Sequence, residues 1–147
     1  MDKILIGVFY SILAGTIIAT QNVFSTRISE KVGMWETTAV IHLIGLIFAI
    51  IMAYILGDGS YKSVLDVNKL YLFAGAIGVI IIFSVTMGVS TLGASFAISL
   101  MVISQLSFAA VIDTFGLFGS DKIPFSLTKL MGIIIMVIGV IVFKWKG

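Results

Sequence analysis

Apolar residues in this chain come in long runs, broken at short intervals by glycine, hydroxyl and charged residues. Five runs stand out: Ile4 to Phe24, Thr37 to Leu56, Leu70 to Thr91, Ala94 to Phe115 and Phe125 to Phe143. Each is close to the ~20 residues that carry a helix across a ~30 Å hydrocarbon layer. Lipid offers the backbone no hydrogen-bond partner, so only helices or closed β-barrels span it. A barrel strand alternates apolar and polar positions over ~10 residues, and no such alternation is present. The pattern predicts an all-α polytopic membrane protein, with five transmembrane helices in one transmembrane domain over residues 1–147.

The connections between runs are short. "STRISEKVGMWE" follows the first, "GDGSYKSVLDVNK" the second, and "STLGA" barely turns the chain between the third and fourth. "GLFGSDKIPFSLTK" precedes the fifth, and Pro124 is expected to open that helix. These links leave no room for a soluble domain. Trp35 and Trp145 stand near run ends, where interfacial aromatic residues sit. The first run, with Lys3 ahead of it, has the outline of a secretory signal. It is long, and no A-x-A-like site follows it, so it reads as a retained span.

Composition fixes the solvent. The chain is 60% hydrophobic and 11% charged, with a mean hydropathy of +1.22. Soluble domains carry about a quarter charged residues, so a chain this apolar is solvated by lipid. It has no cysteine, which excludes disulfides and thiolate metal sites. One histidine without an Asp/Glu cluster argues against a metal centre. There is no nucleophile–base pair at helical spacing and no phosphate loop, so an enzyme is not expected, nor a cofactor. The net charge of +2 is spread over loops and ends, which suits membrane flanks and not nucleic acid.

Orientation in a membrane follows the Lys and Arg of cytoplasmic loops. The side carrying the N-terminus holds five, Lys3, Lys62, Lys69, Lys122 and Lys129. The other holds four, Arg27, Lys31, Lys144 and Lys146. Five against four is almost no bias, and it predicts a chain that inserts both ways up and pairs as an antiparallel dimer. Two inverted sets of five spans give a ten-helix inverted repeat, a building plan of transporters with the ligand site near the midplane. The same count is compatible with a single orientation, since charges near span ends do not weigh equally.

Polar residues inside the spans are the candidate chemistry. On a helix turning 100° per residue, Ser95, Ser99 and Asp113 fall within an arc of about 120° from Gln105. Phe96, Leu100, Val111 and Phe115 point elsewhere, so the fourth span has one small, polar face and one bulky face. An unpaired polar group in hydrocarbon costs several kcal/mol, so the polar face must meet protein or water. Gly7, Ser11, Ala14, Ile18, Gln21 and Ser25 form a seam in the first span. His42, Gly45, Ala49 and Ala53 share a face of the second, and Tyr71, Gly75, Gly78, Ile82 and Thr86 of the third. Gly132 and Gly139 lie seven apart in the fifth. Such small seams chiefly serve close helix packing. His42 has an unperturbed pKa of ~6.5, which makes it a candidate proton carrier, or else a neutral imidazole bonded to a neighbouring helix. Asp113, near its span end, is a pathway residue or a cap. Glu36, at the entrance of the second helix, suits the positive end of that helix.

The fourth and fifth spans also carry a resemblance. "GASFAISLMVISQLSFAAVIDTFGLFG" followed by "IPFSLTKLMGIIIMVIGVIV" resembles the YdcZ-like family, five-helix, half-size relatives of the drug/metabolite transporter superfamily. The shared pattern is a glycine opening the span, a mid-helix Gln105, then Asp113-x-x-Gly116, Pro124, Lys129, Gly132 and Gly139. "AGTIIATQNVFSTRI" is similar too, with Gln21 at the family's glutamine position. Ser104 stands where relatives often have Gly, and Ser25 where an Asn is usual. The resemblance implies a bacterial inner-membrane transporter, paired head to tail. The first span has no acid between Leu13 and Ile17, so the proton/cation exchange of small four-helix multidrug exporters does not carry over.

The expectation is a transporter, an exporter of small organic metabolites or drugs, working by alternating access as an antiparallel homodimer or with a homologous chain. Gln105, Gln21, His42, Ser99, Ser95 and Asp113 are the expected substrate-binding residues. A Gln, His and Ser pocket favours a neutral, zwitterionic or aromatic ligand over a bare cation. The competing expectation is a non-transporting membrane scaffold, in which the polar seams are helix glue.

Overall fold

The computed structural model describes residues 2–145. Helix α1 covers Asp2–Val32 and α2 Met34–Leu56. A 3-10 segment, Tyr61–Asp66, and the single turn α3, Lys69–Leu72, lead into α4, Ala74–Leu92. Then come α5, Ala94–Phe115, and α6, Leu127–Lys144. Among the described residues five helices are long and apolar enough to cross a membrane, with α3 and α4 counting as one. The expected span Ala94 to Phe115 coincides with α5. The chain divides into two compact units, one up to Thr91 and one from Leu92 onward. Lys146, one of the cations in the orientation count, lies outside the described residues.

The second helix starts at Met34, three residues before the expected Thr37, and the expected third span is divided at Phe73, while two further differences have a clear local cause. The first helix does not stop at Phe24. "STRISEKV" contains no glycine or proline, and Arg27 pairs with Glu30 one turn on at 3.3 Å, so the helix continues to Val32. At 1.5 Å per residue α1 is about 46 Å long, well beyond the ~30 Å hydrocarbon layer. The fifth span begins at Leu127, not at Pro124. Ser126 is the N-cap, and its hydroxyl accepts the Lys129 amide at 3.2 Å. A serine cap settles a helix start more strongly than a nearby proline.

In the first unit, all but one of the described buried residues are polar. Asn22, Ser25 and Thr26 of α1, Thr37 and Thr38 of α2, and Thr86 of α4 are buried, alongside Val89. Large apolar side chains such as Phe9, Ile44, Phe48 and Ile80 are exposed. This inverts the soluble pattern. With lipid as solvent, apolar surface need not be hidden, and helices approach through small and hydroxyl-bearing residues. The hydroxyls are satisfied by carbonyls one turn back: Ser25 bonds Gln21 O at 2.9 Å, Thr26 bonds Asn22 O at 2.9 Å and Thr38 bonds Met34 O at 2.9 Å. Only Gly33 separates α1 from α2. Its φ of 96° lies in the region other residues avoid, and a side chain there would run into the Glu36 carboxylate. Thr37 donates to Gly33 O at 2.6 Å and fastens the turn. Glu36 sits in the first turn of α2, as expected. Trp35 stacks on Phe83 of α4, with ring centroids 4.1 Å apart.

In the second unit α5 and α6 run antiparallel. At one end the Lys144 ammonium lies 5.6 Å from the Phe96 ring centroid, and at the other Lys129 meets Asp113. The return is made by Gly116, which caps α5 at φ 64° in the left-handed region. A Cβ at this position would meet Lys122 Cγ at 3.0 Å and Ser120 O at 3.2 Å, so the loop folds tightly over the cap. The Ile123 amide then donates to Asp113 O at 2.9 Å and ties the loop to the last turn of α5.

Candidate functional site

The six expected site residues fall into both units. In the first unit His42 is half-buried, and its Nδ1 lies 2.8 Å from Thr38 O. A carbonyl can only accept, so Nδ1 carries the proton, and in the neutral ring Nε2 is left as an acceptor. That nitrogen lies over α4, 3.6 Å from where a Cβ on Gly78 would stand. Gln21 is half-buried beside Asn22. The amide nitrogen of Asn22 (3% exposed) and the hydroxyl of Thr86 (0% exposed) are buried without a hydrogen-bond partner. Of the expected first-span seam, Gly7, Ser11 and Ala14 are exposed, and packing uses only the end from Gln21 onward.

In the second unit the polar face of α5 is divided. Ser99 and Asp113 lie in the seam against α6, whereas Gln105 and Ser95 are exposed. Helical geometry puts Gln105 roughly 100° round from the middle of that seam. The Ser99 hydroxyl donates to Ser95 O at 2.8 Å, and its side chain borders a cavity of ≈ 380 Å³ with Ile103, Gly139 and Phe143. Nearer the loop, a second cavity of ≈ 260 Å³ is walled by Leu106, Ala110, Gly132 and Met136 and holds Asp113 and Lys129. Lys129 Nζ lies 4.0 Å from Asp113 Oδ2, with the two side chains 33% and 40% exposed. The ammonium nitrogen itself is buried and makes no hydrogen bond.

The geometry thus brings together pairs that periodicity on one helix does not show. Along the sequence Lys129 is only the basic residue after Pro124, yet in the fold it is the partner of Asp113. The available signal was its place in the first turn of α6, where the helix end repels a cation. Asn22 was legible from its spacing to Ser25, Thr26 and Ser29 along one face. Among the described residues no three His, Cys, Asp or Glu side chains gather as a metal site requires. The first unit offers amide, imidazole and hydroxyl groups for hydrogen bonding, and the second offers hydroxyl groups and the Asp113–Lys129 pair, all on apolar helices.

No curated protein and no solved structure matches the chain. Residues 6–142, nearly the whole chain, match the family model described as "Putative inner membrane exporter, YdcZ", and the protein therefore belongs to that family of multi-pass inner-membrane proteins.

Proposed function

We propose that the protein exports small organic molecules by alternating access, as one half of an antiparallel homodimer. The observation that carries this reading is Gln105. Its amide is exposed halfway along α5, a helix of membrane-spanning length. Lipid cannot satisfy two amide donors and a carbonyl. A second copy, inverted, supplies the missing surface and encloses an aqueous path along which Gln105 meets substrate. The near-even Lys and Arg count supports insertion in both orientations, and inverted halves rocking about a midplane site are a known transporter design. Gln21 and His42 are the substrate-binding groups proposed for the first unit, and Ser95, Ser99 and Asp113, along α5, those proposed for the second.

The test is release from proteoliposomes loaded with a bacterial metabolite extract and followed by mass spectrometry. A subset of compounds should leave protein-containing vesicles faster than blank ones. Gln105→Leu should purify as the same oligomer and release them at least tenfold more slowly. No release above blank for any compound sinks the proposal. A Gln105→Leu protein that loses its oligomer while the parent transports nothing identifies a scaffold instead.

A further inference from the structure

The cavity between α5 and α6 holds two opposite charges on apolar walls, and each sits at the wrong end of its helix. A helix favours anions at its N-terminus and cations at its C-terminus. Glu36 in the first turn of α2, Lys31 in the last turn of α1 and Lys144 in the last turn of α6 obey this. Asp113, in the last turn of α5, and Lys129, in the first turn of α6, reverse it.

The two charges do not satisfy each other. A charge-assisted hydrogen bond closes to about 2.7–2.9 Å, while Nζ and Oδ2 stand 4.0 Å apart. All three ammonium donors of Lys129 are unused, although the nitrogen is buried. A staple would close to contact, since a lysine side chain has the freedom to do so. The backbone around the pair is fixed, by the Gly116 cap, by the Ile123 to Asp113 bond and by the Ser126 cap. Gly132 opens the wall beside the pair, and a Cβ there would meet nothing within 4 Å.

We propose that this cavity binds a zwitterion, a small amino-carboxylate with an apolar body. Its carboxylate accepts from Lys129 Nζ once that side chain turns out into the cavity, its ammonium donates to Asp113, and its side chain lies against Leu106, Ala110 and Met136. A lone cation would meet the Lys129 charge and a lone anion the Asp113 charge. A molecule carrying both fits the opposed pair and the ≈ 260 Å³ of space. The inference rests on the export reading for the fate of the bound molecule, and it names the substrate class of that pathway.

The experiment is calorimetric binding to the purified full chain in detergent, with three probes of one shape. L-Leucine carries both charges, 4-methylpentanoate only the carboxylate and 3-methylbutylamine only the ammonium. Leucine should bind at least tenfold more tightly than either. Asp113→Asn and Lys129→Met should each weaken it at least tenfold. The charge swap Asp113→Lys with Lys129→Asp should bind leucine within a few-fold of the parent. Gly132→Leu, which keeps both charges and fills the space, should abolish binding, and it and the swap decide the matter if the single variants do not fold. Equal binding of the three probes, no leucine binding, or leucine binding unmoved by the variants overturns the proposal. Leucine bound but never released from vesicles overturns the export reading and keeps this site. Release of other compounds by a protein blind to leucine does the reverse.

Discussion

Thr37 and Thr86 are both fully buried, yet they differ in what their hydroxyls do. Thr37 donates to Gly33 O at 2.6 Å and holds the turn between α1 and α2, whereas Thr86 Oγ1 has no partner. Removing a satisfied buried hydroxyl costs about 1 kcal/mol, and removing an unsatisfied one relieves its desolvation penalty. Thr37→Val should therefore lower the thermal unfolding midpoint in detergent, by an amount equivalent to about 1 kcal/mol. Thr86→Val, the same chemical change, should leave it unchanged or raise it. Equal losses in the two variants would mean that Thr86 has a bonding partner after all. The sequence shows two threonines of similar standing here. Which one is spare depends on the helix facing it, and no local pattern encodes that.

At the scale of elements, helix starts and stops follow capping chemistry more closely than hydropathy. The window Phe125 to Phe143 marks the apolar stretch correctly, but α6, the fifth span, starts where Ser126 accepts the Lys129 amide. Ser126→Ala should cost about 1 kcal/mol of stability, read as a lower midpoint in the same melt. Pro124→Ala, two residues outside the cap, should fall within about ±0.5 kcal/mol, the range of surface changes. The reverse order would restore Pro124 as the helix start. The extension of α1 to Val32 has a similar origin. Hydropathy ends where Ser25 begins, but nothing in "STRISEKV" breaks a helix, and the Arg27–Glu30 pair supports it. Asp113-x-x-Gly116 reads as a motif in the sequence. The structure supplies its reason, a left-handed cap that sends the chain back so that Lys129 returns to Asp113.

For the whole molecule, the open quantity is orientation. Ser63 lies exposed in the 3-10 segment between α2 and α3, and the chain has no cysteine of its own. Ser63→Cys in intact cells should therefore react to about half its total with a membrane-impermeant thiol reagent, the remainder becoming reactive only after lysis. That outcome follows from five cations against four. Full or zero labelling from outside gives one orientation, and the antiparallel homodimer is then lost: an inverted partner comes from another protein, or the site is not built by inversion.

The sequence by itself determined that lipid is the solvent, that five helices span it, and that Gln105 is a polar residue in a span with no partner on its own helix. These follow from sums along the chain, because hydropathy and the hydrogen-bonding demand of a backbone in lipid are local quantities. The tertiary structure decided which polar groups meet. It set Asp113 against Lys129, turned Gln105 and Ser95 out of the α5–α6 seam, and buried Asn22, Thr37, Thr38 and Thr86, among others, in the first unit. Those outcomes depend on how each helix is rotated about its axis and on the loop that returns it. Small residues permit several rotations at similar cost, so the choice rests on a few backbone points, among them the positive φ of Gly33 and of Gly116.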